Sequence, residues 1–251
     1  MELGLLVAGA FFAGLVDAVV GGGGLIQIPL LFGVYPLGSP ASIFGTNKLS
    51  SVFGTFSAAI RYTRLVDIPW AAALPASVAA FICSYLGAMS VSAIPAELLK
   101  PFVVVLLVGV ATYTFMHKGF GRRDRRVAIG RGHMFGALGL GGLIVFYDGF
   151  FGPGTGSLLI FLFIRFFGMD FLRASATAKI VNVMTNVAAI GYFGQSGDVY
   201  WSVGIAMAAF NIAGALAGAQ LALRFGTGFV RRLFLLVVSV LILRLSWDLI
   251  R

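Results

Sequence analysis

Charge is scarce in this sequence: of 251 residues only 11% are Asp, Glu, Lys or Arg. Mean hydropathy is correspondingly high, at +1.00. A soluble domain carries roughly 25% charged residues, so an ordinary water-soluble fold is excluded. Cysteine is nearly missing. The single Cys83 rules out an intrachain disulfide and leaves the redox compartment unreadable. Only two histidines occur, His117 and His133, and neither lies in a cluster of metal-ligand spacing, so no metal and no cofactor is expected. The apolar regions hold no Ser/His/Asp or Cys/His constellation, which leaves an enzyme without a nucleophile and base. The first residues lack a basic stretch and a small-residue cleavage site, so the apolar start is read as part of the mature structure.

What the chain does have is long apolar blocks, at about 3–34, 41–60, 68–90, 98–116, 133–168, 173–193, 199–223 and 229–249. Most match the roughly 20 residues that cross a bilayer as a helix. The first and fifth are too long for one span of a ~30 Å core at ~1.5 Å per residue. Both are interrupted, by Gly21-Gly22-Gly23-Gly24 and by Gly152-Pro153-Gly154-Thr155-Gly156. Glycine runs destabilise helix and proline removes a donor, so each block is predicted to be two helical pieces around a break. The second pieces begin near Leu25 and Ser157. The net charge of +9 is concentrated in one loop, at Arg122, Arg123, Arg125, Arg126 and Arg131, and otherwise flanks the apolar blocks. That placement signals membrane topology and argues against a nucleic-acid partner.

The two halves align without a gap at an offset of 131. Asp17 falls on Asp148, Gly21 on Gly152, Gly23 on Gly154, Thr46 on Thr177 and Lys48 on Lys179, and the register runs on to Asp67/Asp198 and Trp70/Trp201. With four Lys and three Trp in the whole chain, matched pairs of each are not coincidence. The fold expected is an all-α membrane bundle of two repeats, residues 1–116 and 132–251, joined by a basic linker at 117–131. Loop charge sets their relative orientation. In the first half the loop near 61–67 is basic and those near 35–40 and 91–97 are not; in the second half the basic loops are exchanged, with Arg165 and Arg173 on one and Arg224, Arg231 and Arg232 on another. Basic loops being cytoplasmic, the repeats are predicted to be inverted, with the first and fifth blocks folded as hairpins at their glycines and both termini outside. The alternative, eight simple spans in parallel repeats with both termini inside, leaves Arg165, Arg173, Arg224, Arg231 and Arg232 on the wrong side.

Inverted repeats with broken helices hold substrate near the midplane between the halves. Helices restarting inside the membrane present free N–H groups and a positive dipole end, and glycines admit a ligand to the backbone. This selects an anion, with Gly21, Gly22, Gly23, Gly24, Gly152, Gly154, Thr155 and Gly156 as candidate contacts. Lys48 and Lys179 lie within apolar blocks, where a charge costs on the order of 2.5–3.5 kcal/mol and needs a partner or a task. They either balance the anion or pair with Asp17 and Asp148. Thr46 and Thr177 stand beside them, and Asn47, Ser51, Asn182 and Asn186 offer further polar contacts. Asp17 and Asp148 are candidates for carrying a coupled proton, or for capping the glycine turns. Asp67 and Asp198 are expected as helix N-caps, Trp70 and Trp201 as interfacial anchors. Gly214 and Gly218 are expected to mark close helix packing.

The stretches GLVDAVVGGGGLIQIPLL (14–31), GTNKLSSVFGTFSAAIRY (45–62), YDGFFGPGTGSLLIFLF (147–163) and ATAKIVNVMTNVAAI (176–190) resemble the TauE/SafE family of sulfite exporters. The resemblance covers nearly the whole chain. It implies a multi-pass transporter of sulfite, an organosulfonate or a related sulfur anion in the bacterial cytoplasmic (inner) membrane, and it leaves a homo-oligomer open. Pro153 where the first copy has Gly22 means the half-sites need not be equivalent. A passive anion channel and a non-transporting membrane subunit of an enzyme complex are the alternatives. Dependence of flux on a proton gradient separates the first, and indifference to loss of Lys48 and Lys179 the second.

Overall fold

The structure, a computed structural model, describes residues 2–91, 96–117, 119–124 and 131–250. Arg125 and Arg126 of the linker lie outside those residues, and the side chains of Arg131 and His133 are likewise not described. Among the described residues every regular element is a helix: α1 (Glu2–Val20), α2 (Gly24–Val34), α3 (Pro40–Thr63), α4 (Trp70–Met89), α5 (Ala96–Met116), α6 (Arg131–Phe150), α7 (Thr155–Phe167), α8 (Phe171–Gln195) and α9 (Trp201–Ile250). Gly226, at φ 66° and ψ −166°, bends α9 into two pieces. Residues 2–20, 70–89 and 201–243 are long and apolar enough to cross a membrane.

The bundle is inside-out relative to a soluble protein. Phe12, Phe81, Ile82, Ile205 and Leu236 are exposed, while Lys48, Lys179, Asn47, Asn182, Thr55 and Gln27 are buried. An apolar shell around a polar interior fits a lipid solvent and would aggregate in water. The chain is an all-α membrane protein. Its most polar helices, α3 and α8, sit inside it, packed on each other and on α9 and α4 respectively.

Both glycine breaks are observed where the sequence puts them, and both reverse the chain. A β-carbon on Gly9 of α1 would strike Leu30 of α2, and one on Gly141 of α6 would lie 3.4 Å from Leu162 of α7. Had α2 continued the line of α1, Leu30 would lie about 30 Å from Gly9. The helix starts at Gly24, Pro40 and Trp70 recur at Thr155, Phe171 and Trp201, each 131 residues later. Helix α4 packs on α6 and α8, and α9 on α1 and α3. Small residues make these seams close. β-Carbons on Gly214 and Gly218 would run into the Phe11 and Leu15 carbonyls of α1, which is the packing role expected of them.

Helices α3 and α8 run antiparallel. The start of α8 touches the loop after α3, where Arg173 forks between Asp67 (3.0 Å) and Asp124 (2.8 Å). The loop after α8 returns to the start of α3, where the Tyr200 N–H donates to Thr46 Oγ1 at 2.9 Å and Tyr35 stacks on Tyr200. The Arg173 end gathers Arg61, Arg64, Arg122, Arg123 and Arg165, and Arg231 reaches the Thr114 carbonyl beside it. The Tyr200 end has no Lys or Arg in 35–40 or 194–200. In a Cys83→Ala background, cysteines at Leu65 and Ser196 are therefore expected to react from opposite sides of the membrane. Labelling of both from one side would contradict the antiparallel pair.

The capping expectation fails at Asp67 and Asp198. Helix α4 begins after Pro69 with no side-chain cap, Asp67 is used by Arg173, and Asp198 accepts from Ser42 Oγ at 3.4 Å. Tertiary partners claim those carboxylates. The caps that do form are Ser39 on α3 and Asp170 on α8, each accepting the N–H three residues on.

Candidate functional site

Three residues of each long polar helix share one face: Lys48, Ser51 and Thr55 on α3, and Lys179, Asn182 and Asn186 on α8. Their i, i+3, i+7 spacing stacks them along a single stripe. Because α3 and α8 are antiparallel neighbours, the stripes face one another, and Asn186 Nδ2 donates to Thr55 Oγ1 across the pair at 3.5 Å.

The glycine breaks meet at this stripe. Gly21 (φ +76°) abuts Gly156 so closely that a β-carbon on either would overlap the other's backbone. Helix α1 thus ends inside the bundle, and its orphan carbonyls are satisfied by side chains from elsewhere. Tyr62 donates to the Ala18 carbonyl at 2.9 Å, Ser175 to Val19 at 2.6 Å and Ser157 to Val20 at 2.7 Å.

The lysines are paired crosswise. Lys48 of α3 stands 2.8 Å from Asp148 of α6, and Lys179 of α8 stands 2.9 Å from Asp17 of α1. The Lys179 contact is a well-directed hydrogen bond. The Lys48 contact is an ion pair of the same length, but Asp148 Oδ2 receives no hydrogen bond of good geometry. Asp17 is held further by the Gly23 N–H and by Thr55 Oγ1, both at 3.4 Å. Of the two readings the sequence left open for the lysines, pairing with the aspartates is the arrangement present.

Between the stripes and the breaks lies a cavity of about 30 Å³ lined by Asp17, Gly21, Gly24, Asn47, Lys48, Ser51, Thr55, Asp148, Gly152, Gly156, Asn182 and Asn186. That volume holds one or two waters. The wall carries the starts of α2 and α7, at Gly24 and Gly156. Asn47 and Asn182 are 4% and 7% exposed, and neither Oδ1 has a hydrogen-bond partner among the described residues. Buried amide oxygens left unpaired cost about 1–3 kcal/mol each.

Of the residues expected at the site, Gly21, Gly24, Lys48, Gly152, Gly156, Asn182, Asp17 and Asp148 line this cavity. Lys179 pairs with Asp17 behind the wall. Gly22 packs against Val237, and Gly154 (φ +87°) faces Leu107 and Leu241. Gly23 serves Asp17 through its N–H. Thr155 turns its hydroxyl to the Gly152 carbonyl at 2.8 Å. Thr46 and Thr177 bond the carbonyls one turn back, at Ser42 and Arg173, and stand off the cavity. Thr55 was not singled out from the sequence. The signal was available: it sits two turns after Lys48, as Asn186 does after Lys179.

Against this geometry the comparisons with known proteins are decisive. The family model described as "Sulfite exporter TauE/SafE" matches residues 6–245. The chain belongs to the TauE/SafE family. Its TauE/SafE relatives include "Probable membrane transporter protein ORF9" of Sinorhizobium sp, 36% identical over 98% of this chain and 93% of the relative. Another is "Probable membrane transporter protein YfcA" of Escherichia coli (strain K12), 32% identical over 98% and 90%. A "Probable membrane transporter protein" of Haemophilus influenzae is 31% identical over 98% and 95%. No solved structure matches the chain significantly.

Proposed function

We propose that this TauE/SafE protein is a secondary transporter carrying a small sulfur-containing anion, sulfite or an organosulfonate, across the bacterial cytoplasmic membrane. The observation that carries the reading is the cavity itself: two helix starts, a buried lysine and buried asparagine side chains at the centre of an apolar bundle. The names of the family and its relatives favour transport and a sulfur anion. The antiparallel α3 and α8, with helix starts 131 residues apart, favour two inverted halves around that point. The arginine-rich end is then cytoplasmic.

Two features speak for coupled transport. Room for one or two waters is less than a four-atom oxyanion needs, so loading requires the halves to separate, as alternating access does. The two lysines and two aspartates also balance, so an entering anion adds a net charge to a buried site. A proton taken up on Asp17 or Asp148 cancels it.

Counterflow in proteoliposomes with sulfite, sulfate, thiosulfate and organosulfonates tests this. Saturable flux that follows a proton gradient is expected for sulfite or an organosulfonate. Flux indifferent to the gradient would mean a passive pore, and no response to any of the panel would end the sulfur-anion reading.

A further inference from the structure

We infer that the two half-sites are inequivalent: Lys48, Asn182 and the first turn of α7 form the anion seat, whereas Lys179 acts only by positioning Asp17. The inference rests on the anion-transport reading and goes beyond it by dividing the labour of two residues that the sequence treats as a matched pair.

The cavity wall includes Lys48 but not Lys179. Lys179 is 0% exposed, and its ammonium is committed to Asp17 Oδ2 through a directed hydrogen bond. Asp17 also accepts from Gly23 and Thr55, so that pair ties α8 to the end of α1 as a structural joint. Lys48 differs. Its ammonium is paired with Asp148 at 2.8 Å, but Lys48 lines the cavity, so the donors not turned to that carboxylate can meet an acceptor there. Its ammonium also lies 3.4 Å from where a β-carbon on Gly152 would stand, so the missing side chain there leaves it open to the break.

The two helix starts differ in the same sense. At α2, Gly22 faces Val237 and Gly24 faces Pro153, whose Cα would lie 3.7 Å from a β-carbon there. At α7, Gly156 faces Gly21 and Asn182, with Nδ2 3.1 Å from the equivalent β-carbon position. Helix α7, of 13 residues, therefore brings the N–H groups that follow Thr155 beside the Asn182 Nδ2 donor, and Gly156 and Asn182 both line the cavity. Pro153, which stands where the first copy has Gly22, packs beside the α2 start, whose Leu25 and Ile26 N–H groups already donate to the Gly22 and Gly23 carbonyls.

The test compares two charge-neutral double variants, Lys48→Gln/Asp148→Asn and Asp17→Asn/Lys179→Gln, with Asn182→Leu as a variant that leaves both ion pairs intact. Equilibrium binding of sulfite and the organosulfonates is measured on purified, monodisperse protein, and turnover in proteoliposomes. Charge-assisted hydrogen bonds are worth about 1.5–3 kcal/mol, so loss of Lys48 should weaken affinity at least about tenfold. Asn182→Leu should weaken it in the same direction. Asp17→Asn/Lys179→Gln should keep affinity within about threefold while turnover falls, a split that a direct ligand would not give. Equal loss of affinity in the two double variants, or retention in Lys48→Gln/Asp148→Asn or Asn182→Leu, overturns the division and leaves the transport reading standing. Wild-type protein that binds none of the probes overturns that reading, and the seat with it.

Discussion

Gly21→Ala is expected to be among the most damaging single substitutions in the chain, although it adds one methyl group. Gly21 adopts φ +76°, where a β-carbon costs about 1–2 kcal/mol. That β-carbon would overlap the Gly156 backbone and lie 2.9 Å from the Ser157 N, so no flexible side chain can yield. Overpacking of this kind costs about 1–3 kcal/mol more. Relief requires moving the start of α7, and with it the Ser157 hydroxyl that satisfies the Val20 carbonyl. Gly33→Ala, where an added β-carbon meets nothing, is the control. Thermal unfolding in detergent should show a clear loss for the first and almost none for the second. Equal melting of the two variants would mean that the breaks do not support each other.

The second large effect lies in the ion pairs, where the order of damage is set by which charge is left behind. Asp17→Asn strands the Lys179 ammonium, which is 0% exposed, whereas Lys179→Gln strands a carboxylate that is 22% exposed. Removing one partner of a buried pair costs roughly 3–5 kcal/mol, while removing both costs far less. Asp17→Asn is therefore expected to destabilise more than Lys179→Gln, and the double variant less than either would suggest. At the other pair both side chains are buried, at 3% and 8%, so Lys48→Gln and Asp148→Asn should be similarly harmful. A double-mutant cycle on melting temperature measures the coupling. Strict additivity at both pairs would deny that these contacts hold charge in the bundle.

How far this was readable beforehand differs from residue to residue. The hairpins at 21–24 and 152–156 were legible because glycine and proline act on the backbone locally, whatever surrounds them. The sharp bend of α9 at Gly226 was legible as a boundary between apolar blocks and not as a conformation. Thr46 and Thr177 were misplaced as ligands. Adjacency to a lysine said nothing of the hydroxyls' rotamers, and each finds a carbonyl four residues back on its own helix.

The sequence by itself determined the solvent, the helices, their breaks and the need of two buried lysines for counter-charges. Those follow from composition, from the backbone preferences of a few residues and from the cost of charge in hydrocarbon. Only the tertiary structure decided which carboxylate each lysine takes. The partners are far apart in the chain, as with Lys179 and Asp17 at a separation of 162 residues, and each pair crosses from one half to the other. It also decided that Lys48 faces the cavity while Lys179 stands behind its wall. Positions matched at the 131-residue offset become unlike when their neighbours, such as Pro153 against Gly22, are unlike in shape.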